Sequence, residues 1–184
     1  MTETQTATLP RVTEVLKNAG LIDTRWFSDE VRDRGTVVHA ACQYLDEGTL
    51  DESTLDPKIA GYVEGYKRWI QWRQATGQRE WDWIEAPRQD PQGRYRGTPD
   101  RILTVRPRWV WDIKTGCHFP WHALQTAAYV NMLPNPYSYR RAGLYLKADG
   151  HYQVREYPRD DYARDLSVFL AAVTCTEWRL HHEH

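Results

Sequence analysis

Cysteine is scarce and ungrouped. Only Cys42, Cys117 and Cys175 occur in 184 residues, an odd number without the close spacing of a metal knuckle. That pattern argues against a disulfide framework and fits reduced thiols in a cytoplasmic protein. No apolar run approaches the ~20 residues that cross a bilayer, and no signal-peptide pattern opens the chain. No Gly-x-x-x-x-Gly-Lys-Ser/Thr phosphate loop occurs, so no ATP site is expected. Internal repeats and low-complexity linkers are also missing. Excess charge is missing too: 24 Lys and Arg stand against 25 Asp and Glu, a formal net charge of −1. A protein that coats duplex DNA is usually basic, so that class is disfavoured. An enzyme with a local basic groove is not, because a carboxylate site offsets basic charge and a bound metal restores it.

What is present supports one α/β domain over residues 1–184. Hydrophobic residues make up 41%, and this length can bury a real core. Nine Trp and eleven Tyr can fill that core or stack on bases. Residues 1–8 and the tail His181-His182-Glu183-His184 read as frayed ends. A short helix opens at Pro10 and ends near Gly20, with Thr13 or a neighbour as its cap. Trp26 to Arg34 reads as a loop or short helical turn. A helix follows Gly35, with Val38, Ala41 and Leu45 at helical spacing and Gly48 as its stop. Ile59, Tyr62, Val63, Tyr66, Trp69 and Ile70 mark an amphipathic helix stopped by Gly77.

Strands are expected at Trp81 to Ala86, at Tyr95 to Val105 with a break around Gly97 and Pro99, and at Arg108 to Lys114. The first two should form a hairpin. Trp121 to Met132 is helical. Asp149-Gly150 joins a second hairpin of residues 142–148 and 152–157. Asp160 or Asp161 caps a last helix carrying Leu166, Phe169, Leu170 and Val173.

One stretch carries chemistry. Asp112 and Lys114 lie two apart on a strand, so their side chains share a face. Asp112 sits in Trp109-Val110-Trp111-Asp112-Ile113, a largely apolar strand where an idle buried charge is costly. Asp100 follows Pro99, and a hairpin can return it to the same place. Two carboxylates and an ammonium at a sheet edge can bind a divalent metal and steady a water. His39 on its helix reads either as a ligand or as a packed, hydrogen-bonded histidine. Gln125 and Tyr129 are one turn apart on one helix face. Glu85 reads equally as an extra metal group, a partner of the ligands, or a solvent-facing acid.

Four segments then resemble a known family. Gly35-Thr36-Val37-Val38-His39, Gly97-Thr98-Pro99-Asp100-Arg101-Ile102, Asp112-Ile113-Lys114-Thr115-Gly116 and Gln125-Thr126-Ala127-Ala128-Tyr129 are similar to the ordered motifs of the PD-(D/E)XK nuclease superfamily. The RecB-like branch is the nearest, with lambda-type phage exonucleases as relatives. The motifs span residues 35–129, about half of the chain. The resemblance implies a restriction-endonuclease-like core, a central mixed β-sheet flanked by helices. His39, Asp100 and Asp112 would be metal ligands, joined by the backbone carbonyl of Ile113. Lys114 would position the attacking water or stabilise the phosphorane. Gln125 and Tyr129 would hold the site and contact DNA.

Hard oxygen ligands suit Mg²⁺ or Mn²⁺, and the added imidazole fits Mn²⁺ somewhat better. Relatives with an iron–sulfur cluster use four cysteines, so no cluster is expected here. Arg11, Thr13, Arg34, Arg96, Arg101, Trp121 and His122 are candidates for DNA contact, or ordinary surface charge and capping. The expected function is a metal-dependent deoxyribonuclease, foremost an exonuclease processing ends in recombination, repair or phage replication. A structure-specific endonuclease and a noncatalytic DNA-binding or assembly module are the alternatives. A single-strand annealing protein or a separate helicase would be the natural partner.

Overall fold

Three helices precede the sheet, and local chemistry fixes where each begins. The computed structural model describes residues 9–23, 28–77 and 80–182; the expected frayed segment 1–8 lies outside them. Helix α1 (Val12–Asn18) starts where the Glu14 carboxylate accepts the Arg11 N–H at 2.7 Å. Thr13 is inside this helix and does not cap it. Val12, Val15 and Leu16 form its buried stripe.

Helix α2 (Asp29–Asp46) begins well before Gly35. Ser28 caps it by accepting from the Val31 N–H at 3.3 Å, and Asp29 and Glu30 suit the positive helix end. The expected loop up to Arg34 is therefore helical from Asp29. A good cap outweighs one interior glycine, which costs about 1 kcal/mol against alanine. Helix α3 (Pro57–Ala75) is capped by Asp56 and buries Ile59, Tyr62, Val63, Tyr66 and Trp69.

The remaining elements are β1 (Trp83–Ile84), β2 (Arg88–Gln89), β3 (Arg96–Gly97), β4 (Arg101–Leu103), β5 (Arg108–Lys114), α4 (Trp121–Asn131), β6 (Tyr139–Leu146), β7 (Tyr152–Tyr157) and α5 (Tyr162–His182). A five-stranded mixed sheet runs β1-β4-β5-β6-β7. Only β5 and β6 are parallel, and α4 makes the crossover between them. The first expected hairpin forms in two pieces, β1 with β4 and β2 with β3. Pro99 has no N–H to give a ladder, and Glu85 takes a left-handed φ of 45° opposite the break. The Glu85 and Ala86 amides still reach the Asp100 and Pro99 carbonyls, at 2.9 and 3.4 Å.

Strand alternation sorts the core into two clusters. Trp109, Trp111 and Ile113 pack with α2 and α3, while Val110 packs with α1, α4 and α5. Trp69 meets Trp111 edge-on at 4.8 Å between ring centroids, a contact worth ~0.5–1.5 kcal/mol beyond its buried area. Helix α5 runs through His181 and His182, with His182 stacked on Trp178 at 4.6 Å, and residues 183–184 lie outside the described ones. Among the described residues, no helix is long and apolar enough to cross a membrane.

Candidate metal centre and its lysine

The break in the hairpin builds the site. Arg101 pairs with Trp111, so continuing that register sets Asp100 across from Asp112. The Asp100 carboxylate accepts the Ile113 amide N–H through Oδ2. Its other oxygen lies 3.3 Å from Nδ1 of His39, which α2 carries over the sheet. The left-handed turn at Glu85 brings a third group in. Ligand atoms of His39, Glu85 and Asp100 all lie within 4.8 Å of one another.

Beside this cluster, Lys114 Nζ lies 2.7 Å from Asp112 Oδ2, off the line of a hydrogen bond. It donates instead to Gln125 Oε1 at 3.0 Å, and Gln125 Nε2 donates to the Tyr129 hydroxyl at 2.8 Å. Lys114, Gln125 and Tyr129 thus form one chain from β5 into α4. The ammonium also lies 5.5 Å from the centre of the Trp121 ring, a cation–π distance.

Burial disfavours charge throughout the cluster, and neighbours decide the net sign. Burial lowers the His39 pKa, but the Asp100 charge and hydrogen bond outweigh it and the net shift is upward. Asp100 is the mirror image: burial raises it, yet His39, Lys114 and the Ile113 amide hold it below the usual carboxylate range. Burial pushes Asp112 up to about 6, with Asp100 adding and Lys114 opposing. Burial and the Asp100 charge push Glu85 up to about 7 against His39 and Arg101. Shifts of this kind occur both at functional sites and in structural ion-pair networks.

The donor set fits a hard divalent cation. Two carboxylates and an imidazole converge, and Asp112 Oδ2 is buried without an aligned hydrogen-bond donor. A cation there would stabilise the charged form of carboxylates that burial otherwise protonates. Of the residues singled out in sequence, the fold gathers His39, Asp100, Asp112, Ile113, Lys114, Gln125 and Tyr129. Glu85 joins them as a member of the ligand cluster. Asp112 stands at its side, engaged with Lys114.

The expected DNA contacts divide. Arg101 and His122 are corrected: both are buried. Arg101 is fully enclosed, paired with Asp46 at 2.6 Å and Glu85 at 3.2 Å. A charge in an apolar strand must meet partners, and these hold it inside. His122 Nδ1 lies 2.8 Å from the Tyr145 hydroxyl, and burial pushes its pKa down to about 2. Arg34 is half-buried, 5.6 Å from the Tyr62 ring centre. Trp121 is half-buried and stacks on Phe119 at a centroid distance of 6.4 Å. Arg11, Thr13 and Arg96 line a cleft of about 680 Å³ together with Tyr129.

Sequence reasoning missed Asp46, Tyr66 and Arg88. The Tyr66 hydroxyl donates to Asp46 at 2.6 Å, and Arg101 shares the same carboxylate oxygen. Asp46 lies seven residues after His39, two turns along one helix face, which is the signal that could have found it. No family model matches the chain, and no curated protein matches it in sequence.

Proposed function

We propose that this chain is a Mg²⁺- or Mn²⁺-dependent deoxyribonuclease with a restriction-endonuclease-like fold, acting as an exonuclease on DNA ends. The observation that supports it is the convergence of His39, Glu85 and Asp100 within 4.8 Å, beside the Asp112–Lys114 ion pair. His39, Glu85 and Asp100 would hold the metal, with Asp112 as the adjacent carboxylate. The bound cation would supply charge for the phosphate and a water of lowered pKa.

The chain's own residues do the rest. An ammonium has three donors. Lys114 directs one to Gln125 Oε1 and sets its charge beside Asp112, which leaves donors for the attacking water or a phosphate oxygen. Fixed positive charge at that point is worth more in a half-buried site than in water. Gln125 and Tyr129 keep the ammonium in place, since their hydrogen bonds leave the amide one orientation. The Ile113 amide keeps one Asp100 oxygen occupied, so the other faces His39.

The test is digestion of end-labelled linear single- and double-stranded DNA beside closed circles, with Mn²⁺, Mg²⁺ or EDTA, using wild type and Lys114→Ala. Metal-dependent loss of linear DNA by wild type alone, with circles spared, is the expected result. Cleavage of circles would replace the exonuclease with an endonuclease. Absence of cutting on every substrate would leave a binding or assembly module.

A further inference from the structure

The cleft of about 680 Å³ on the far side of Tyr129 is cationic. Arg11, Arg88 and Arg96 line it together with Thr13, Gln89 and Thr98, and no carboxylate is among its lining residues. In a chain of net charge −1, such a local excess of one sign is a focused field. The cleft is linked to Lys114 through the protein, because Tyr129 lines it. Arg88 pairs with Gly97 across β2 and β3. A Cβ on Gly97 would stand 2.7 Å from Cε1 of Tyr129, so the ribbon lies directly on that ring. From the Tyr129 hydroxyl, two hydrogen bonds through Gln125 lead to Lys114.

At the rim, the Arg88 guanidinium lies 4.7 Å from the centre of the Trp83 ring. Trp83 is 49% exposed, a large apolar face left in water two residues before Glu85. An indole beside cations is the arrangement that holds an unpaired base next to its phosphates.

We infer that this cleft is the bed of a single DNA strand, with Arg11, Arg88 and Arg96 on its phosphates and Trp83 under an unpaired base. The inference rests on the proposed nuclease reading for its substrate. An exposed indole stacks only on a base that is not paired within a helix, so the substrate class is single-stranded DNA or a frayed end.

The experiment uses the full chain in Ca²⁺, without Mg²⁺ or Mn²⁺, and follows anisotropy of a labelled thymidine oligonucleotide and of a blunt hairpin duplex over a salt series. Wild type should bind the oligonucleotide more tightly. Arg88→Ala should weaken it and reduce the log–log salt slope by about 0.7, one single-strand phosphate contact. Trp83→Ala should weaken it about tenfold with the slope unchanged, because stacking releases no counterions. The blunt duplex should be insensitive to Trp83→Ala. Variants that bind like wild type, a wild type that prefers the duplex, or no binding at all would overturn the inference. Cleavage in Mn²⁺, run in parallel, separates the two readings. Cutting without any effect of the variants removes the strand bed and keeps the nuclease. Weakened binding without any cutting does the reverse.

Discussion

The two faces of the central sheet anchor the site by different means. Toward α2 and α3, charges hold charges: Arg101 is enclosed and shared between Asp46 and Glu85, with the Tyr66 hydroxyl on the same oxygen of Asp46. Toward α4, the ion pair of Lys114 with Asp112 is backed by neutral groups: the ammonium donates to an amide, and the amide to a phenol. The first arrangement is costly to disturb, because removing one partner strands the others in a medium that cannot solvate them. The second pairs one charge with one and adds a neutral hydrogen-bond chain, and it leaves the lysine donors for a ligand. Fixing the ligand cluster and presenting the ammonium are thus separate tasks, built from different chemistry.

Four experiments test that division, from the largest expected effect to the smallest. Lys114→Ala should lower DNA cleavage by about 10³-fold or more, the scale of removing a transition-state charge partner. Its melting temperature should fall less than that of Arg101→Met, because Asp112, already raised to about 6, can take up a proton when its partner is gone. A matching loss of fold would make the lysine a structural ion and erase the contrast. Arg101→Met should instead lower unfolding free energy in urea by about 3–5 kcal/mol, the usual cost of breaking a buried pair. If Arg101→Met melts like wild type, the α2 side is no firmer than the α4 side.

Gln125→Leu should reduce cleavage by about 10- to 100-fold, as for other groups that orient a reacting one, with Tyr129→Phe a milder step in the same direction. Steady-state kinetics should place both losses in kcat rather than KM.

The smallest effect is on pH. Folded Glu85 and Asp112 are raised to about 7 and about 6, so the folded chain binds more protons than the unfolded one between pH 4 and 7. Stability of the metal-free protein should then fall as pH rises through that window. The raised His39 pKa acts in the same sense: its contribution is complete below the unfolded value and is lost as pH passes the folded one. The lowered Asp100 works oppositely, losing its contribution only as pH falls through its folded pKa. Calorimetric melts from pH 5 to 8 should show the decline without metal. Mn²⁺ should reverse it at the upper end, since it competes with those protons. A flat metal-free profile would mean that the acids are not held together in solution.

The sequence made the mixed sheet and the main helices legible, because their apolar periods are strong. Strand alternation puts Asp112 and Lys114 on one face, and a returning hairpin sets Asp100 beside them. Gly35 misled, since a glycine suggests a boundary while the Ser28 cap upstream decides the start of α2. Arg101 and His122 misled because an arginine in a strand and a histidine on a helix look exposed until their partners are known. Those partners lie 55 residues away for Asp46 and 23 for Tyr145. Glu85 remained open in sequence because its role depends on a left-handed backbone turn that no side-chain pattern announces. Arg88 was hidden in a two-residue strand.

The β5–α4–β6 crossover, described above as topology, has a consequence in time. The ligand cluster needs α2, the turn after β1 and the residue before β4 in contact, and the lysine needs α4 laid against β5. The first joins residues far apart in sequence, His39 with Asp100, the kind of contact that forms late and slowly in folding, whereas Lys114 and Gln125 are 11 residues apart. While the chain is being made, His39, Glu85 and Asp100 emerge well before Gln125 and Tyr129, and the parallel partner β6 comes later still. A chain stopped before the crossover therefore lacks the α4 partners that Lys114 has in the finished fold.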